Sequence, residues 1–260
     1  MSARQARVRA VDLLPARPAG AGAAAGYGQG GTAGSPQGGG YDHCVGLGYH
    51  CESTYQIRRV TGVTRAHFFD WLDLDFESVV EAVAEDFRHV LRPGLVEPFD
   101  EGRCALDRGS DIRFYHEFHP AAGAGTPLTQ ADIDAQLPRV RAKFAALAGR
   151  WRALAGSAAR VLYVHHDAWD ELTAADLRRL RAVIAAQHPG HRFDLHWLRR
   201  TAPPDADATG PGITWGTVAA APGRWEGDDD AWDAALTPVL TRPHAPSPRQ
   251  HSQHSQHSQH

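Results

Sequence analysis

The order of apolar runs in the second half of the chain most strongly limits the folds open to this sequence. RVLYVHH at 160–166 and RFDLHWL at 192–198 are β-branched and aromatic runs, and the helical pattern at 171–190 lies between them. ITWGTVAA at 213–220 and, earlier, DIRFYHEF at 111–118 are two more strand patterns. Strands that alternate with helices along a chain predict a mixed α/β fold built in layers.

Three helices are predicted from apolar spacing and end signals. Residues 76–91 place apolar side chains three or four positions apart, which is the spacing of one helix face. Residues 133–154 repeat that spacing, and Pro138 is expected to split this helix or to begin its main segment. The third helix is expected to have Thr173 as its N-cap and Gly190 as its stop.

Low-complexity segments at both ends delimit the expected domain. Residues 18–40 are almost entirely Gly, Ala, Ser, Gln and Pro, a composition that buries too little apolar area to offset the entropy of ordering the backbone. We therefore predict a flexible leader at 1–40 and a disordered His/Ser/Gln tail at 241–260. One α/β domain is expected at 41–240, with an α+β arrangement as the alternative.

Composition and charge exclude several classes of function. The net charge is −3, and the 27 basic residues are spread along the chain, which argues against nucleic acid as a partner. No apolar run approaches the roughly 20 residues that a membrane helix needs. The first residues lack the apolar block of a secretory signal. Three cysteines without a CxxC pair fit a reducing compartment, so we expect a cytoplasmic protein.

One cysteine lies where a helix is expected to begin. In CVGLGYHCESTYQIRR, residues 44–59, Cys51 follows a turn that contains Gly46 and Gly48 and precedes a helical pattern. Free backbone N–H groups at a helix start favour a thiolate, and the backbone N–H of Cys51 is a candidate oxyanion donor. The alternative is a buried cysteine that only fills space under the turn.

Four segments together resemble a known family. VGLGYHCESTYQIRR at 45–59, RAHFFDWL at 65–72, VVEAVAEDF at 79–87 and IRFYHEF at 112–118 are similar to bacterial papain-like cysteine peptidases of unknown function (DUF1796). The resemblance implies a single papain-like domain of mixed sheets and helices. It also implies a hydrolase or acyl transferase that acts on a peptide, amide or thioester.

The resemblance assigns roles to individual residues. Cys51 matches the family cysteine, Phe69, Asp70 and Trp71 match a Phe-Asp-Trp segment, and His116 matches a downstream histidine. These matches imply that Cys51 is the nucleophile and His116 its general base.

The chemistry of a thiol nucleophile calls for a third group that orients the imidazole, and a carboxylate commonly fills this role. Asp167, at the end of a predicted strand, and Asp70 are the candidates. A structural role for Asp70, accepting N–H bonds that pin its loop, is the competing interpretation.

Two other classes of function remain open. A metal-dependent enzyme would draw its ligands from a set of imidazoles and carboxylates: His116, Glu117, His119, His165, His166 and Asp167. Adjacent strand residues point to opposite faces, so only one of His165 and His166 can face a given site. The other class is a catalytically inert protein of the same fold that binds a glycan or peptide. We predict a thiol enzyme that needs no metal and no other cofactor.

Overall fold

The computed structural model describes residues 40–242, apart from the side chain of Ala208. The predicted leader and tail lie outside these residues, except for residues 40, 241 and 242. The described part is one domain with two sheets and five α-helices, which confirms the mixed α/β prediction.

The elements are numbered in chain order. The strands are β1 (His43–Gly46), β2 (Val96–Phe99), β3 (Cys104–Asp107), β4 (Ile112–Phe114), β5 (Arg160–Asp167), β6 (Arg192–Arg199) and β7 (Ile213–Thr217). The helices are α1 (Cys51–Thr61), α2 (Phe76–Ala84), α3 (Gln130–Ala155), α4 (Ala174–Gln187) and α5 (Asp229–Leu240). A short 3-10 helix covers Ala206–Ala208. No helix within 40–242 is both long and apolar enough to cross a bilayer.

A four-stranded parallel sheet forms the centre of the domain. Its strand order is β1-β5-β6-β7, and all three neighbouring pairs run parallel. Leu162 and Val164 pack in an apolar cluster with Ile57 of α1 and Trp232 of α5, whereas Tyr163 belongs to the larger core that includes α2, α3 and α4. Because both faces are covered by helices, β5 is buried along nearly its whole length, and its central residues 161–164 are apolar or aromatic.

A second, antiparallel sheet has the order β2-β3-β4. The segment 67–73 attaches to β4 through an isolated bridge: the Asp73 N–H donates to the Arg113 carbonyl at 3.2 Å, and the Arg113 N–H donates to the Asp73 carbonyl at 2.8 Å. An ion pair of 3.2 Å joins the same two side chains. This segment therefore connects the small sheet to the chain that follows α1.

Helix α2 ends at Ala84, seven residues before the predicted end at 91. Asp86 and Phe87 both adopt left-handed φ values, of 50° and 60°. Their N–H groups donate to the carbonyls of Val83 and Ala82, at 3.0 and 2.7 Å, in the pattern of a Schellman-type helix end. Phe87 is buried although it follows the helix end, where the chain changes direction. Its burial explains why the apolar spacing in the sequence continues past Ala84.

The Pro138 prediction was wrong, since α3 is one continuous helix with Pro138 inside it. Proline removes an intrahelical hydrogen bond, but Leu137 directly before it and Val140 two residues after it are buried in the core. Their burial holds both halves of the helix on one axis.

Helix α4 confirms its predicted start and corrects its predicted end. Thr173 is the N-cap and forms a reciprocal capping box with Asp176. The helix ends at Gln187 with His188 as C-cap, ahead of the expected stop at Gly190. Gly190 adopts φ 90° in the turn that leads into β6.

Several histidines are buried in the core as neutral side chains. Burial lowers the pKa of His165 and of His196 to about 4, and it holds the pKa of His166 well below the usual 6.5. The unfolded chain therefore binds more protons than the folded one between about pH 4 and 6.5. Proton uptake by the unfolded chain therefore lowers the stability of the fold as the pH falls from 6.5 towards 4. Above pH 6.5 these histidines are neutral in both states and have no effect on how stability changes with pH.

We expect the free energy of unfolding to fall as the pH is lowered through this window, by up to about 1.4 kcal/mol per pH unit for each buried histidine. Urea titrations at several pH values measure it. His165→Phe keeps a ring against Phe76, whose centroid lies 5.3 Å away, and should flatten the pH dependence. His119→Phe, at an exposed position, is the matched control. Equal slopes for wild type and His165→Phe would contradict the prediction.

Candidate functional site

The turn between β1 and α1 is sharp and conformationally constrained. Gly48 has φ 77°, and a Cβ there would lie 2.4 Å from Cδ2 of Leu74, so only glycine fits without a shift. Tyr49 follows with φ 90°, a costly conformation for a residue with a side chain. The chain is thereby turned abruptly from the carboxyl end of β1 into α1.

Cys51 is the first residue of α1, as the sequence predicts. Its N-cap, His50, makes no side-chain capping bond. Ser53 Oγ donates to the carbonyls of His50 and Gly48, at 2.9 and 3.2 Å, and so holds the turn in place. The positive end of the α1 dipole thus acts at Cys51, where it favours a negatively charged sulfur.

His116 lies against Cys51 although 65 residues separate them in the chain. The Cys51 Sγ and His116 Nε2 atoms are 3.2 Å apart. His116 is exposed and Cys51 partly exposed, so the pair is open to solvent and to a ligand. The structure brings together the two residues that the family resemblance singles out, and their catalytic roles remain a prediction.

The secondary structure predicted for His116 was wrong. Strand β4 ends at Phe114, and His116 lies in the turn that follows, whereas the sequence places it on a strand. The turn is anchored by its next residues: Lys143 Nζ donates to Glu117 Oε1 at 2.5 Å, and Phe118 is buried beside Phe114. Because α3 carries Lys143, that helix contributes to the placement of His116.

Asp70 has the structural role that was the competing interpretation. Its Oδ2 accepts from Arg58 Nη2 at 2.7 Å and from the His67 N–H at 3.0 Å. Asp70 thereby ties the segment 67–73 to α1. These bonds do not support the orienting role proposed for it.

Asp167 also accepts hydrogen bonds from its own loop. Its oxygens accept the N–H groups of Glu171 and Leu172, both at 3.0 Å, and the indole N–H of Trp197 at 3.3 Å. Only 5% of Asp167 is exposed. A carboxylate so engaged shapes the connection from β5 to α4, and its hydrogen bonds give the predicted orienting role no support.

The histidines of β5 and those that follow β4 do not form a metal site. His165 packs on Phe76 of α2, and His166 packs on Trp232 of α5 with centroids 5.2 Å apart, so the two rings face opposite sides of the sheet as predicted. Between residues 40 and 242, no three His, Cys, Asp or Glu side chains are grouped so that they could hold a metal ion. The placement of these residues therefore lends no support to the metal-dependent alternative.

Two neighbours of the site were not assigned a role in it from the sequence. Glu52, next to Cys51, accepts the Trp232 indole N–H at 3.0 Å and pairs with Arg200 at 3.3 Å, which ties the start of α1 to α5 and to the end of β6. Trp71 has its ring centroid 6.0 Å from that of His116. The only sequence signal for Trp71 was the Phe-Asp-Trp match, and none marked Glu52.

Comparisons with models of protein families, with curated proteins and with solved structures find no match to this chain. The papain-like resemblance therefore depends on the motifs quoted from residues 45–118 alone.

We expect Cys51 to react with iodoacetamide far faster than the other two cysteines near neutral pH. Cys44 and Cys104 are buried, and burial raises the pKa of each thiol to about 12. Mass spectrometry of labelled peptides measures the three rates separately. Denatured protein is the control, because there the three thiols should react alike. Similar slow labelling of all three in the folded protein would show that Cys51 is not activated.

Proposed function

We propose that this protein is a cysteine-dependent acyl-transfer enzyme, a papain-like peptidase or amidase in its chemistry, with Cys51 as nucleophile and His116 as general base. The observation that carries the proposal is the 3.2 Å approach of Cys51 Sγ to His116 Nε2 at the start of α1. A thiol and an imidazole at this distance can exchange a proton, which is the first requirement of thiol catalysis.

The reaction follows from this pair. His116 Nε2 takes the Cys51 proton, and the thiolate sulfur attacks the carbonyl carbon of an amide or thioester. As the carbon–nitrogen or carbon–sulfur bond breaks, the imidazolium returns its proton to the leaving group, and an acyl-Cys51 thioester remains. Water, deprotonated by His116, then attacks this thioester and releases a carboxylic acid and the free thiol. A different acceptor nucleophile in place of water would make the same site a transferase.

The surroundings of Cys51 supply electrostatic support for these steps. The positive end of the α1 dipole favours developing negative charge on the sulfur, and the backbone N–H of Cys51 is the candidate donor to a bound carbonyl oxygen. The thiol must remain reduced to act, so we place the protein in the cytoplasm, where free cysteines such as Cys44, Cys51 and Cys104 persist.

An activated ester tests the acyl-transfer chemistry without knowledge of the natural substrate. We expect p-nitrophenyl acetate to release a burst of nitrophenol equal to the enzyme concentration and to leave an acetyl group on Cys51, detected by peptide mass spectrometry. Cys51→Ala should abolish both, and Cys104→Ala should keep both. Rapid alkylation of Cys51 without any acetyl-enzyme would favour the inert glycan- or peptide-binding alternative.

The role of His116 is tested by its removal. We expect His116→Asn to slow the acetylation burst by about 10²- to 10⁴-fold, the usual contribution of general base catalysis. His119→Asn, three residues away and exposed, is the matched control and should retain the wild-type rate. Equal rates for the two variants would exclude His116 as the base.

A further inference from the structure

The His116 imidazole needs a partner that fixes its direction, and the carboxylates proposed for this role bind elsewhere. Asp70 holds Arg58 and its own loop, and Asp167 holds the β5–α4 connection. An exposed imidazole in a turn has two side-chain torsions to restrict before it reliably faces a sulfur atom. A ring that packs against His116 can supply that restriction.

Trp71 contacts the imidazole directly. The two rings meet edge to face, with centroids 6.0 Å apart and an interplanar angle of 79°. This is a favoured geometry for aromatic pairs, in which the positive edge of one ring meets the negative face of the other. The contact restricts the torsions of His116 without accepting its ring protons.

The backbone of Trp71 is itself fixed to the helix that carries the nucleophile. Its N–H donates to Oγ1 of Thr54, three residues after Cys51, at 3.1 Å. Trp71 adopts φ 63°, an unfavourable conformation for a bulky residue that persists only where neighbouring contacts impose it.

The Trp71 ring is fixed as well. The Arg58 guanidinium lies 5.6 Å from the ring centroid, within cation–π range, and Arg58 is held in turn by Asp70 at 2.7 Å. A chain of contacts therefore runs from Asp70 through Arg58 and the indole to the imidazole. Thr54, Arg58 and Asp70 belong to α1 or to the segment 67–73, so the same part of the chain holds both Trp71 and Cys51.

We propose that Trp71 is the positioning residue of this site, holding the His116 imidazole in the direction in which Nε2 meets Cys51 Sγ. This inference rests on the proposed function. The indole acts by packing against the imidazole ring. Trp71 supplies no proton and touches no reacting atom, so it acts entirely through His116.

The experiment follows the alkylation rate of Cys51 by iodoacetamide as a function of pH. This rate reports the thiolate–imidazolium pair and needs no substrate. We expect Trp71→Leu to slow alkylation at pH 7 by about three- to tenfold, the factor that corresponds to the loss of one aromatic pair. Trp71→Phe retains a ring and should recover most of the wild-type profile.

Trp225→Leu is the matched control, because Trp225 also packs on α1, where its ring partner is Tyr55 with centroids 5.5 Å apart. It should leave the profile unchanged. Thermal unfolding of each variant shows whether the fold is retained. If Trp71→Leu does not fold, Trp71→Met takes its place, with the same three- to tenfold slowing expected and with Trp225→Met as its control.

A double variant separates positioning from general structural support. Trp71→Leu in a His116→Asn background should slow alkylation no further than His116→Asn alone, since the indole acts only through the imidazole. An additive loss, or a Trp71→Leu profile identical to wild type while His116→Asn is altered, would overturn the positioning role and leave the proposed function intact. A His116→Asn profile identical to wild type would overturn the proposed function and this inference together.

Discussion

The candidate site depends on one physical connection, the attachment of the segment 67–73 to helix α1 on one side and to the antiparallel sheet on the other. Asp70 pairs with Arg58 of α1 at one end, and Asp73 pairs with Arg113 of β4 at the other. The side chain of Asp70 is only 8% exposed, so loss of Arg58 would leave a nearly buried carboxylate without its counter-charge, which costs more than the pair itself contributes. The segment therefore sets where the small sheet lies relative to the start of α1.

This connection explains how Cys51 and His116 meet. Cys51 lies at the carboxyl end of β1 in the parallel sheet, and His116 follows β4 of the antiparallel sheet. A site at the carboxyl edge of a parallel sheet is common in α/β proteins, but here the second catalytic candidate lies in the turn that follows a strand of the other sheet. Its placement needs the anchors on both sides of it, the Asp73–Arg113 bridge before it and the Glu117–Lys143 pair after it.

Sequence patterns predicted the start of a helix correctly where residues close together in the chain determine it. Thr173 caps α4 because a capping box needs only residues three positions apart, and Cys51 begins α1 because the glycine turn precedes it directly. The proline signal and the apolar spacing were misleading where packing against the rest of the domain determines the helix. Pro138 stays within α3 because the core holds both halves, and α2 ends early although Phe87 continues its apolar spacing.

The sequence by itself determined the fold class, the positions of most helices and strands, and the two residues whose side chains form the candidate thiol–imidazole pair. Those features follow from apolar spacing and capping, which act within a few residues, and from a motif resemblance. Only the tertiary structure decided what each polar group binds: Asp70 and Asp167 hold loops, and Trp71 lies beside His116. Hydrogen-bond and ring partners come from chain segments tens of residues apart, and no local pattern encodes which of several nearby acceptors a given donor reaches.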